Sequence, residues 1–256
     1  MTYSSDAPIL GQGAVSAEAI QAWFVQLGPS YAPRYAPDKQ YVAPPETLGR
    51  AIVDECRRYP GQIVNHDLAA AQMLHETAAW QSKYARERNN PGGIGAINSN
   101  PDLALRFNSV ELGVRAHIAH LLVYAVGDGE WNPDDPRYKP VRDKNWLGKA
   151  PTLRDLNGKW AYPGTSYGQS IASLANQLVA FANNGTWRKE TPVGRVPKPK
   201  MIDWPSPNKD GYNTPRKIEA IVNHIGTSTA DSNLGWLKNP ASGASCNAYI
   251  RKDGRI

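Results

Sequence analysis

The stretch Ala71-Gln72-Met73-Leu74-His75-Glu76-Thr77-Ala78-Ala79-Trp80 runs directly into Gln81-Ser82-Lys83-Tyr84-Ala85-Arg86-Glu87-Arg88-Asn89-Asn90-Pro91-Gly92-Gly93-Ile94-Gly95-Ala96. Its first half reads as a mostly apolar helix with one carboxylate, Glu76, set into it. Its second half reads as a polar exit into a glycine-rich turn. At helical spacing Gln72, Met73, Glu76 and Trp80 share a face. An acid among apolar neighbours is disfavoured in its charged form, so its pKa rises. A carboxylic acid that keeps its proton near neutral pH is what a general acid requires. A surface glutamate on an ordinary core helix is the other reading, and spacing alone leaves both open.

Working outward, Ser16 is a plausible N-cap for a helix through Ile20, Trp23, Phe24 and Leu27, which Gly28-Pro29 should end. Tyr31 to Pro44 reads as a connection. Pro45 and Glu46 suit the first turn of a second helix, with Leu48, Ile52, Val53, Cys56 and Tyr59 as its buried stripe. Asp67 is the expected cap of the central helix. Val110 to Ala125 and Ser166 to Asn184 both carry the helical period. Val126 to Gly164 has no sustained period, and a region that long is either functional or holds short elements.

Arg188 to Pro215 is rich in proline, lysine and arginine and reads as a linker. Beyond it, Ile218 to Ile225 and Ser245 to Ile250 read as strands, the second leading into a Lys252-Asp253-Gly254 turn. The partner of that last strand would fall past Ile256, so a longer parent chain is expected. The domain reading is therefore 1–187, a linker over 188–215, and an incomplete α/β piece over 216–256.

With 256 residues, 41% hydrophobic and 20% charged, the composition is that of a globular protein. No apolar run approaches the ~20 residues that span a membrane, and no secretory leader is visible at the amino terminus. The net charge of +6 favours a polyanionic partner such as nucleic acid, an anionic cell wall or an acidic membrane surface. The basic residues are scattered or lie in the linker, with no nucleic-acid motif beside them. Cys56 and Cys246 form no metal or disulfide pattern. Nothing here sets the oligomeric state.

Other motifs in the chain point less clearly to chemistry. His75-Glu76 lacks the second histidine of a zinc-protease motif, because position 79 is Ala. His117 and His120, at i and i+3, are expected to be buried and hydrogen-bonded rather than metal ligands. Asp134-Asp135 is expected to be solvated. Gly92 to Gly95 lacks a phosphate-loop pattern.

In order and spacing, these segments resemble the glucosaminidase family of peptidoglycan hydrolases from about Ile9 to Trp187. The resemblance rests on Ala71-Gln72 with His75-Glu76-Thr77, on Ser82 to Ala85 with Asn90-Pro91-Gly92-Gly93-Ile94-Gly95, and on Leu156 to Tyr162 with Tyr167 to Ile171. Phe107 to Tyr124 matches a branch of that family found in bacterial lysins. It implies a mainly α, lysozyme-like helical domain that cleaves the glycan of bacterial cell walls without a cofactor. Glu76 would then be the general acid. His75, Asn90, Gly93, Trp160 and Tyr162 would contact sugar. Glycosidases usually pair two acids, ~5–5.5 or ~6.5–9.5 Å apart, and Asp102 is the candidate for the second. Action would be extracellular or at the cell wall, with peptidoglycan as partner and neither nucleic acid nor a membrane span involved.

Lys217 to Ile256 is similar to the opening of a zinc-dependent N-acetylmuramoyl-L-alanine amidase, through Ile221 to Thr229, Trp236 to Pro240 and Ala244 to Ile256. That resemblance makes His224 the first zinc ligand, with the others beyond Ile256. Zinc is expected only for a complete amidase domain.

Overall fold

Capping side chains and buried stripes account for most of the helices in the computed structural model, which describes residues 2–95, 104–161 and 164–188. In order the helices are α1 (Ala17–Tyr35), α2 (Leu48–Glu55), α3 (His66–Thr77), α4 (Lys83–Arg88), α5 (Val110–Ala125), α6 (Tyr138–Asp143) and α7 (Tyr167–Asn184). Two 3-10 turns, Asn132–Asp134 and Arg154–Leu156, flank α6. The described residues are mainly helical, with isolated bridges and no strand among them, in keeping with a lysozyme-like helical domain. No helix among them is long and apolar enough to cross a membrane.

Ser16 caps α1 by accepting from Ala19 N, but the helix does not stop at Gly28-Pro29. It continues to Tyr35 with Pro29 and Pro33 inside. The cause is Tyr41. Its ring lies where a Cβ on Gly28 would sit, and its hydroxyl donates to Val25 O at 3.4 Å. Val25 O is the carbonyl that Pro29, having no N–H, leaves without its helical donor.

The second helix begins later than the Pro45-Glu46 turn suggests, with Thr47 as its N-cap. Half-buried contact between Glu55 and Arg115 ties α2 to α5 through bonds of 3.1 and 3.2 Å.

The central helix is capped by Asn65, whose side chain accepts from Asp67 N at 3.1 Å. Asp67 is displaced from that role by partners far away in sequence. Its buried carboxylate accepts from Tyr3 Oη, Ala14 N and Val15 N. It thereby fastens the amino-terminal segment to the positive end of α3, where a negative charge is favoured.

Trp80 is not part of the helical face. Helix α3 ends at Thr77, and Ala78, Ala79 and Trp80 all take left-handed conformations, with φ of 50°, 53° and 71°. Each costs roughly 1–2 kcal/mol for a residue with a Cβ. Burial of Ala79 and Trp80 offsets this, together with bonds from Thr77 Oγ1 to Met73 O and from Trp80 N to Thr77 Oγ1. The polar exit then holds a helix of its own, α4, capped by Ser82.

The core joins Phe24, Leu48, Ile52, Met73, Leu74, Ile118, Leu122, Leu156 and Ile171. Helix α3 packs mainly on α7, and α2 lies against α1 and α5. Close approach requires Gly168 in α7, because a Cβ there would stand 2.2 Å from Leu153 O. The long aperiodic region resolves into the two 3-10 turns and α6.

Candidate active site

Glu76 sits on the last turn of α3, just before the left-handed reversal, and is half-buried. Its Oε1 accepts from Trp160 Nε1 at 3.0 Å and, at short range, from Tyr167 Oη. Among the described residues both bonds go to Oε1, which leaves Oε2 as the atom free to carry a proton. Burial raises the Glu76 pKa, and the bonds from Tyr167 and Trp160 oppose it without cancelling it. The negative end of α3 acts in the same direction as burial. Such a carboxyl can hand its proton to an oxygen placed before Oε2, and the carboxylate left behind already faces two donors.

Behind Glu76 lies a chain of hydrogen bonds through three helices. Tyr167 opens α7; burial and the nearby Glu76 charge push its phenol well above the ordinary range. It therefore stays a donor. Its oxygen must then accept from Gln72 Nε2, 2.9 Å away in α3. That orientation turns Gln72 Oε1 towards His117 Nε2 of α5, at 3.0 Å, so His117 carries its proton on Nε2. Its Nδ1 is buried with no hydrogen-bond partner among the described residues and lies against Gly92. Burial, helped by His120, lowers the His117 pKa to about 3, which keeps the ring neutral.

His117 and His120 are buried and hydrogen-bonded, as expected for a pair that no nearby Cys or third His completes into a metal set. Asp135 is not solvated: it is buried, with Oδ2 3.0 Å from His120 Nδ1. Asp134 accepts from Tyr59 Oη at 2.7 Å. Trp160 lies on the rings of His117, His120 and Tyr124, with centroids 5.0, 4.7 and 5.8 Å away.

Of the other residues singled out from sequence, His75 is exposed, with its ring edge-on to Tyr167 at 5.6 Å. Gly93 lies in the turn after α4 with φ of 58°. Asn90 is fully buried and its carboxamide is committed to backbone. Its Oδ1 accepts from Ile94 N, and its Nδ2 donates to Ile94 O and Leu105 O. Asn90 thus shapes the turn, with both of its side-chain N–H groups given to backbone carbonyls. Asp102, Tyr162 and His224 lie outside the described residues. The described residues contain no group of three His, Cys, Asp or Glu that could hold a metal.

Tyr167 and the Gln72–His117 pair are the site residues that sequence reasoning missed as a unit. The available signal was the Tyr167-Gly168-Gln169 start of α7, but the contact with Glu76 spans 91 positions.

In this helical domain a half-buried carboxylic acid is held by an indole N–H and a phenol O–H, an arrangement suited to a general acid. Comparison with known sequences narrows this. The profile of the glucosaminidase family, described as mannosyl-glycoprotein endo-beta-N-acetylglucosaminidase, matches residues 50–179, a span that includes Glu76, Trp160 and Tyr167. An uncharacterised protein of Borreliella burgdorferi is 31% identical over 178 residues, covering 68% of this chain and 78% of its own length. The chain belongs to the glucosaminidase family.

Proposed function

We propose that this protein hydrolyses the glycan strand of peptidoglycan at N-acetylglucosamine, as an endo-beta-N-acetylglucosaminidase with Glu76 as general acid. The observation that carries this reading is the Glu76 carboxyl itself, raised in pKa by burial while Trp160 and Tyr167 hold Oε1. In the proposed step the glycosidic oxygen meets Oε2 and takes the proton as the bond to the anomeric carbon breaks. The two donors on Oε1 stabilise the carboxylate that results. Water then adds to the anomeric carbon and gives its proton either to a second carboxylate, for which Asp102 stands as the candidate, or, where the substrate's own acetamido oxygen has first closed on that carbon and is displaced by the water, to the Glu76 carboxylate.

The reading places the protein at the bacterial cell wall, outside the cell, with no cofactor in this domain. The amidase-like segment around His224 extends the proposal to a second wall-cleaving module. Zinc would belong to that module only when its remaining ligands are present.

Analysis of the ends formed when cell walls are digested tests the proposal. New reducing N-acetylglucosamine is the expected product. New reducing muramic acid would make the protein a muramidase, and a non-reducing anhydro product would make it a lytic transglycosylase. Walls that bind the protein but yield no new ends would make the domain a binding module.

A further inference from the structure

Beside Trp160 lies a half-open cavity of about 130 Å3, lined by the Gly92–Gly95 turn, α5, α6 and Lys159. Among the described residues its lining contains Arg137, Lys144 and Lys159 and no acidic residue. None of the three cations has an ion-pair partner among the described residues. Lys144 Nζ rests 4.5 Å from the Trp146 ring centroid. Lys159 Nζ donates to Asp155 O at 2.8 Å, which spends one of its three protons and none of its charge. Asp135, two residues before Arg137, is buried and turned elsewhere, towards His120 Nδ1 and the backbone N of Arg137. Acids on α6 are occupied too, since Asp143 is held by Lys139 and Arg142. Three like charges around one small cavity repel one another, and an anion between them would relieve that repulsion.

The aromatic frame sets which anion suits the place. Trp160, Tyr124 and Trp146 form a continuous wall, with Tyr124 centroids 5.8 Å from Trp160 and 6.4 Å from Trp146. Trp160 is common to the cavity and to the acid, because its Nε1 donates to Glu76 Oε1. A sugar seated against that wall, next to the bond being broken, would hang a short acidic substituent into the cavity. The volume admits such a side group.

We propose that Arg137, Lys144 and Lys159 form a subsite for a carboxylate carried by the glycan substrate, linked to Glu76 through Trp160. The proposal rests on the reading of this domain as a glycan hydrolase. It makes the protein selective for acidic glycan over uncharged N-acetylglucosamine polymer. Two sources share the chemistry, the carboxyl of a sugar's own lactyl ether and the carboxyls of an attached peptide.

Binding to the full chain carrying Glu76→Gln separates this proposal from the catalytic one, since no turnover is needed. Calorimetry would compare a peptide-free glycan strand with free carboxylates, the same strand methyl-esterified, a peptide-bearing strand, and an uncharged N-acetylglucosamine oligomer of equal length. The carboxylated strands are expected to bind about tenfold or more tightly than the esterified and uncharged ones at low salt. Lys144→Gln with Lys159→Gln should bring that ratio close to one, whereas Arg34→Gln on α1 should leave it unchanged. A preference already complete in the peptide-free strand assigns the lactyl carboxylate, and one that appears only with peptide assigns the peptide carboxyls. Equal binding of all four strands, or a preference that survives the double substitution, overturns the subsite. If the subsite behaves as expected but wild type forms no new glycan ends, the hydrolase reading fails instead.

Discussion

Tyr167→Phe removes one oxygen and probes the whole relay. The hydroxyl gives its hydrogen to Glu76 Oε1 and accepts from Gln72 Nε2, so its loss has two separable effects. The first is on chemistry. A hydrogen bond to a charged group contributes about 1.5–3 kcal/mol, and this one strengthens as Glu76 loses its proton. At about 1.4 kcal/mol per factor of ten, kcat should fall roughly 10- to 100-fold. Because that bond lowers the Glu76 pKa, its removal raises the pKa further. The limb of the pH–rate profile on which activity is lost with rising pH must therefore move to higher pH. The second effect is on stability. Gln72 is 1% exposed, and its orphaned amide should cost about 1–3 kcal/mol, read as a lower thermal midpoint. Activity on a soluble glycan strand across pH, alongside a melting curve, measures both. A drop in kcat with that limb unmoved, or moved to lower pH, would refute the assignment of Tyr167 as a donor to the working acid.

Two further outcomes follow from the same geometry. His117 is held neutral, with its pKa lowered from 6.5 to about 3, so the unfolded chain binds the extra proton first. Stability should be full above pH 6.5 and decline as pH falls towards 3, by as much as roughly 4–5 kcal/mol. In a His117→Gln variant the midpoint should vary less with pH over that window, and an undiminished slope would contradict the assignment. Gly168→Ala sets a Cβ against Leu153 O and should cost about 1–3 kcal/mol. It should also reduce activity by shifting Tyr167; a fully active, equally stable variant would show that α7 is not so closely seated.

The parts of the fold that were legible in the sequence are those whose causes are local. Helices α5 and α7 follow from their apolar period, and Ser16 caps α1 within three residues of the group it binds. The misreadings share a non-local cause. Gly28-Pro29 looks like a stop until Tyr41 packs on it and donates to Val25 O. Asp67 looks like a cap until Tyr3, Ala14 and Val15 claim its carboxylate. Asp135 looks solvated until His120 is brought to it. Trp80 looks helical because Ala78 and Ala79 have high helix propensity, and only tertiary burial makes three left-handed residues in succession tolerable. At the site, Glu76 and Trp160 could be picked out by residue type and order. Their joining through Oε1, and the Tyr167–Gln72–His117 relay behind it, depends on packing among α3, α5 and α7.

Glu76→Gln bears most directly on the central claim. The substitution keeps the oxygen that accepts from Trp160 and Tyr167 and removes the transferable proton. Because the raised pKa makes the folded wild type lose stability as pH climbs above the ordinary carboxyl value of 4.5, the variant should be at least as stable at pH 7. Release of new glycan ends from cell walls should nevertheless fall by about 10²- to 10⁴-fold. A stable, folded Glu76→Gln protein that still cleaves glycan at the wild-type rate would contradict the account.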